Sequence, residues 1–176
     1  LYTSSRGVIS LDIPGENGQY KVNNYGQSHG LPPGLVDISY AAGHVMFATQ
    51  KGVFRFDREH NRFVPDFTLG QSFAGAPKGT NVFRVTSGSG GNIWFHSMSR
   101  NYCAVPGPNN TWAILARPFL RLPTSQVNTI YIEPGGKTAW FAGIEGLVRY
   151  DTTMEKNYQP DFPTYIRRVT VNDRVV

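Results

Sequence analysis

Residues 46–57 read Met-Phe-Ala-Thr-Gln-Lys-Gly-Val-Phe-Arg-Phe-Asp, and residues 140–151 read Trp-Phe-Ala-Gly-Ile-Glu-Gly-Leu-Val-Arg-Tyr-Asp. The two align without a gap. Each is a short apolar run, two turn residues, a glycine, and a second apolar run ending in Arg, an aromatic ring and Asp. Short apolar runs separated by a glycine-bearing turn are the pattern of a β-hairpin. A hairpin met twice at this likeness marks an internal repeat, and the period of a repeat decides the fold.

Two more copies fit the frame. Residues 1–12 carry Leu1-Tyr2-Thr3, Gly7-Val8 and Leu11-Asp12, and a degraded copy starts at Trp94-Phe95-His96-Ser97. The anchors at 1, 46, 94 and 140 lie 45, 48 and 46 residues apart. Prolines 32, 77 and 123, in Gly30-Leu31-Pro32, Gly75-Ala76-Pro77 and Arg121-Leu122-Pro123, repeat at 45 and 46. After each proline comes a β-rich run, at 35–40, 82–85 and 127–132, then a turn at 43–44, 88–92 and 134–137. A further strand follows the hairpin at 19–22, 62–64 and 112–115. Four antiparallel strands per ~46 residues is the period of a β-propeller blade. The expected fold is therefore all-β, a partial propeller over residues 1–158. Its 176 residues hold about three and a half blades of that length, where closed propellers need four to eight. The frame opens at the second strand of a unit, so the sequence is expected to be the C-terminal part of a propeller cut from a larger protein.

Composition agrees. Hydrophobic residues reach 40% and charged residues only 16%, enough apolar surface for a core and too little charge for a disordered chain. Nineteen glycines, 12 prolines and 13% aromatics favour strands and turns over a helical bundle. The formal charge of +5 is spread evenly, with 8 basic and 6 acidic residues in 1–88 and 9 and 6 in 89–176. A nucleic-acid surface needs a concentrated basic stripe, so no nucleic-acid partner is expected. No stretch approaches the ~20 apolar residues of a membrane helix, and membrane contact is expected only through segments outside this chain. The single Cys103, between Tyr102 and Ala104, has no disulfide or zinc partner and reads as a small buried hydrophobe.

Past Asp151 the pattern changes. Residues 160–163 read as a linker, and 165–173 form a new alternating run without a repeat partner. Together with the repeat, this end resembles the two-component-regulator propeller family. Gly30-Leu31-Pro32, Asn92-Ile93-Trp94-Phe95, Trp140-Phe141-Ala142-Gly143 and Gly146-Leu147-Val148-Arg149-Tyr150-Asp151 carry the likeness. The resemblance implies that residues 159–176 are a linker and the first strand of a following Ig-like β-sandwich. It also implies a periplasmic, ligand-sensing part of a hybrid sensor histidine kinase, with an oligosaccharide as ligand or a role in sensor dimerisation. The third unit departs from the family pattern, with Arg100 in place of glycine and Val105 in place of aspartate.

Catalytic signatures are missing. His29, His44, His60 and His96 are not at metal-ligand spacing, and no nucleophile elbow or Walker sequence occurs. Ser87-Gly88-Ser89-Gly90-Gly91 joins two expected strands and reads as a hairpin turn, not a phosphate loop. His44 and His60 fall in expected turns, where water satisfies them. Asp12, Asp57 and Asp151 share one repeat position, which fits a strand-ending turn better than catalysis. No enzyme activity, cofactor or metal is expected of this chain. A ligand is expected at loops of one end: Arg6, His29, Lys51, His96, Arg100, Asn101, Tyr102 and Glu145 are the candidates, with the 96–102 cluster foremost because that unit breaks the repeat. Self-association, or contact with the remaining blades of the parent protein, is the other expected partnership. The alternatives are a carbohydrate lyase or glycosidase on the same scaffold, for which only Glu145 stands out as an acid, and a purely structural interaction propeller.

Overall fold

The computed structural model describes residues 2–4, 7–12, 18, 20–75, 79–122, 126–154, 168, 170–171 and 174–175. The fold is all-β. Its strands are β1 (Tyr2–Ser4), β2 (Gly7–Asp12), β3 (Lys21–Tyr25), β4 (Val36–Ala41), β5 (His44–Thr49), β6 (Gly52–Asp57), β7 (Arg62–Pro65), β8 (Phe83–Ser87), β9 (Ile93–Ser97), β10 (Arg100–Pro106), β11 (Trp112–Leu115), β12 (Val127–Ile132), β13 (Thr138–Gly143), β14 (Gly146–Asp151), β15 (Thr170–Val171) and β16 (Arg174–Val175). They form antiparallel meanders in chain order: β1-β2-β3, β4-β5-β6-β7, β8-β9-β10-β11 and β12-β13-β14, followed by the β15-β16 hairpin. No sheet closes on itself among the described residues. Among them, too, no helix is long and apolar enough to cross a membrane.

The expected strands fall where the repeat puts them, with β11 and β12 matching residue for residue. The counterpart of β7 and β11 expected after β14 lies mostly outside the described residues. So does most of the run at 165–173, of which Thr170–Val171 pairs with Arg174–Val175.

Local geometry explains the conserved frame of the repeat. Gly7, Gly52 and Gly146 share one repeat position and all have positive φ, at 139°, 104° and 120°. At Gly52 a Cβ would also meet the Ala74 carbonyl oxygen at 2.5 Å. A side chain there would be strained twice over. The third unit solves the same turn differently. Met98 and Ser99 take φ 47° and 60°, so the left-handed residues sit inside the hairpin turn and Arg100 can be an ordinary strand residue. The Met98 N–H donates to Asn81 Oδ1 at 2.9 Å, fixing that turn. The recurrent aspartates act as turn clamps. Asp57 Oδ1 accepts the Glu59 N–H at 3.0 Å, and Asp151 Oδ1 accepts the Thr153 N–H at 2.9 Å and its hydroxyl at 2.6 Å. The His60 ring beside Asp57 and the Thr153 hydroxyl on Asp151 hold both carboxyls below the usual carboxylate range.

Successive sheets bury each other. β2 (Val8) and β3 (Tyr25) meet Phe47, Phe54 and Phe63 of the second sheet. Met46, Ala48 and Val53 of the second sheet meet Val85, Ile93, Phe95 and Ala104 of the third. Trp94 and Cys103 of the third meet Ile130, Ala139 and Phe141 of the fourth. Strand β8 runs beside β4, and β12 beside β8. Strands β8 and β12 each carry a register shift near their start. At the first, Arg84 (φ 56°) donates its backbone N–H to Asp37 Oδ2 at 2.8 Å and its guanidinium to Oδ1 at 3.0 Å, tying β8 to β4. The segments between sheets each press an apolar side chain inward: Leu31, Leu69 and Phe119 are all buried.

Two outcomes follow. Phe95 is wholly buried between the second and third sheets, stacked on Tyr102 at 5.1 Å, so Phe95→Ala should cost about 3–5 kcal/mol in urea unfolding. Burial pushes the Cys103 thiol up to about 12, so at pH 8 about one part in ten thousand is thiolate. Ellman's reagent should label Cys103 only on the timescale of unfolding; labelling of native protein at the rate of a free thiol would contradict that burial.

Candidate functional site

The sequence candidates are distributed as follows. Lys51, Arg100 and Glu145 sit at or beside the equivalent hairpin turns β5–β6, β9–β10 and β13–β14, all exposed. His29 closes a 3-10 turn, where its Nδ1 accepts the Gly26 N–H at 3.2 Å and its ring meets Tyr25 edge-on. Arg6 lies outside the described residues. The 96–102 cluster is brought together, though mostly inside the protein. His96 and Asn101 are register partners on β9 and β10, both buried, with Nδ1 donating to Asn101 Oδ1 at 3.0 Å. Tyr102 packs flat on Phe95 and edge-on to Phe73. Asn101 and Glu145 line one crevice with Leu122 and Val127, but its volume of about 20 Å³ is that of roughly one water molecule. The two polar groups of His96 and Asn101 satisfy each other within an apolar interface, which is what burial demands of them.

The room for a ligand is elsewhere. A cleft of about 1160 Å³ opens between the first and second sheets. β2 contributes Ser10 and Asp12 to one wall, and β3 contributes Tyr25. The β4–β5 turn region contributes Tyr40 and His44, the end of β6 and its turn Arg55, Phe56 and Arg58, and the segment after β7 Asp66, Phe67 and Thr68. Its floor is apolar, with Val8, Phe47 and Phe63. Tyr40 and Phe67 are large rings left more than half exposed on its rim. Edge-to-face contacts of Tyr25 with Phe56 at 5.0 Å and with Phe63 at 5.9 Å hold the aromatic wall in one geometry. Asp12 accepts the Asn23 amide at 3.3 Å and stays exposed.

His44 is the correction to the sequence reading. It starts strand β5, and its ring is half-buried and fully engaged rather than solvated. Nε2 lies 2.6 Å from Asp66 Oδ2, and Nδ1 lies 3.1 Å from the Ala42 carbonyl oxygen. Both neighbours are acceptors, so a ring carrying two protons donates to both. Asp66 is buried, and its other oxygen accepts the Thr68 N–H at 2.9 Å. The pair thus pins the segment bearing Phe67 and Thr68 to the β4–β5 turn, at the cleft wall. His60 is exposed as expected, hydrogen-bonded to Asp57 at 2.8 Å.

Sequence reasoning passed over Tyr40, Arg58, Asp66 and Phe67. The available signal was an exposed tyrosine at the end of an alternating strand and an Asp-Phe-Thr segment just after β7. Neither forms a motif. Among the described residues no three His, Cys, Asp or Glu side chains group as a metal site. No protein-family model matches the chain, and no curated protein matches it.

The His44–Asp66 pair is open to a direct measurement. His44→Ala strips a buried carboxylate of its ring partner and should destabilise the fold by about 1–3 kcal/mol in urea unfolding. In a double-mutant cycle with Asp66→Asn, the two losses should fall short of additive by about 1 kcal/mol. Additive losses would show that the pair carries no coupling.

Proposed function

We propose that the four meanders are successive blades of a β-propeller, and that the chain is a non-catalytic, ligand-sensing part of an extracytoplasmic sensor. In this reading the sensor belongs to the two-component class, signals to a histidine kinase elsewhere in the parent protein, and takes an oligosaccharide. The repeat with its Gly-Leu-Pro and Gly-Leu-Val-Arg-Tyr-Asp segments supports the sensor class. The observation that carries the ligand reading is the cleft between the first and second sheets. Small-molecule sites are concave, apolar in the main, and dotted with a few polar groups. Here the exposed Tyr40 and Phe67 rings offer flat apolar faces to a sugar ring. Asp12 can accept from hydroxyl groups, and Arg58 can donate to hydroxyl or carboxylate oxygens. Placing the ligand here moves it away from the hairpin turns that carry Lys51, Arg100 and Glu145.

Signalling would then be differential binding. A ligand spanning the cleft touches both sheets and favours whichever inter-sheet geometry closes on it. The enzyme alternative has less support, because hydrolysis needs a placed pair of carboxyls. Of the two acids on the cleft wall, Asp66 is already committed to His44 and Thr68.

Isothermal calorimetry against neutral and uronate-bearing oligosaccharides tests this. A sugar should bind, and Tyr40→Ala and Arg58→Ala should each weaken it about tenfold, the equivalent of 1.4 kcal/mol, with the melting temperature unchanged. Both side chains are exposed, so the fold tolerates their loss. Binding that ignores both substitutions, or an absence of binding across the panel, would overturn the assignment.

A further inference from the structure

The junction of the second and third sheets has an opening of its own, next to the cleft. A gap of about 420 Å³ lies there between two four-stranded sheets, bordered by the β4–β5 turn on one side and the β10–β11 turn on the other. It shares a wall with the cleft. Gly43 and His44 of the β4–β5 turn line the cleft, and Ala42 of the same turn lines the gap. Phe67 and Thr68 line both, and Phe67 is 61% exposed, a large ring at the divide between them. Asp66 fixes that divide, through its contact with His44 and the Thr68 N–H it accepts.

The far wall is equally fixed. Trp112 is half-buried and packs against the core between the second and third sheets. The turn before it takes left-handed φ at Asn109 and Asn110, 54° and 56°. The Gly107 N–H closes it on the Thr111 carbonyl at 2.8 Å, and the Thr111 hydroxyl donates to the Pro108 carbonyl at 2.7 Å. The chemistry differs from that of the cleft. The cleft carries Asp12, Arg55 and Arg58 besides the His44–Asp66 pair, whereas among the described residues no charged side chain lines the gap. The gap offers the Asn110 amide, the Thr68 hydroxyl and the Trp112 indole N–H, none of which has a hydrogen-bond partner among the described residues.

We infer that this gap is a second compartment of the binding site, that it takes a neutral sugar unit, and that the oligosaccharide runs from the cleft across Phe67 into it. The inference rests on the reading of the cleft as a sugar site, and it adds a minimum length and a charge pattern to the ligand. An aromatic ring beside a few neutral donors and acceptors suits the mixed apolar and hydroxyl faces of a sugar. A uronate would shed its water there with no cation to receive it. A wholly apolar group would leave the amide and the hydroxyl unpaired. Charged units therefore belong in the cleft, where Arg58 can meet them. Both walls are set before the ligand arrives, so little ordering opposes binding.

Titration of the full chain with neutral oligosaccharides of increasing length tests this. Affinity should rise about tenfold or more at the length that first reaches past Phe67. Trp112→Ala and Asn110→Gly should each erase that rise and leave the affinity for a disaccharide at its wild-type value. Glycine adopts the left-handed turn freely, so Asn110→Gly keeps the fold even if Trp112→Ala loosens it. Of two long chains with a uronate at one end or the other, one should keep the rise and the other lose it. A disaccharide that binds through Tyr40, with no rise at greater length or a rise that survives both substitutions, would overturn the second compartment and leave the cleft reading intact. Absence of binding at every length would overturn both. Long chains that need Trp112 but not Tyr40 would overturn the cleft reading and, with it, the continuous path inferred here.

Discussion

A sheet of three or four short strands with apolar side chains on both faces leaves apolar surface in water when it stands alone, and among the described residues there is no α-helix to cover it. Each sheet must therefore be roofed by the next. That requirement places Met46, Trp94 and Trp140 at one repeat position, and Phe47, Phe95 and Phe141 at the next one, pointing the other way. Alternation along the strand turns one residue towards the following sheet and its neighbour towards the preceding one. The repeat spacing of about 46 residues is the chain length needed to build one sheet and reach the start of the next. Almost everything else in the molecule accommodates that stacking.

The accommodations are visible as small departures. Between the third and fourth sheets the interface includes His96 and Asn101, where the second sheet has Ala48 and Val53. Two polar side chains in an interface are tolerable only as a mutually bonded pair, which is how they are found. Strand β8 carries an extra residue at its start, and the carboxylate of Asp37 takes the backbone and side-chain donors of Arg84 at that irregularity.

The fold was legible because it rests on periodicity and turn chemistry. Gly52 and Gly146 announce positive φ, Asp57 and Asp151 announce turns, and the aromatic anchors announce buried strand centres. The site was less legible. Arg100, Asn101 and Tyr102 attracted notice by breaking the repeat, yet what they break is a turn formula, and the structure answers it with left-handed Met98 and Ser99 and an internal polar pair. The cleft has no comparable signature. Its residues come from β2 through β7 and the segment after β7, and their meeting depends on how far apart two sheets stand. A single sequence states which residues face a neighbour, and it is silent on how fully that neighbour fills the space.

The filling itself has a physical cause in side-chain size. The corresponding gap between the second and third sheets is smaller, about 420 Å³, and Phe67 and Thr68 line both. In that second gap Trp112 and the turn from Gly107 to Thr111 occupy the space, with the Gly107 N–H bonded to the Thr111 carbonyl at 2.8 Å. The position equivalent to Trp112 in the second sheet is Asn61, which is small and exposed. On the facing wall, Ser10 of the first sheet stands where the second sheet has Arg55. One bulky ring is thus absent from one wall and one long side chain from the other, and the floor of Val8, Phe47 and Phe63 keeps the sheets from collapsing together. The cleft is what remains when the inner part of an interface is packed to full density and its outer part is furnished with small residues. A succession of similar sheets acquires a cleft in this way, by local reduction of side-chain volume at one junction, without any change in the strands that hold the junction in place.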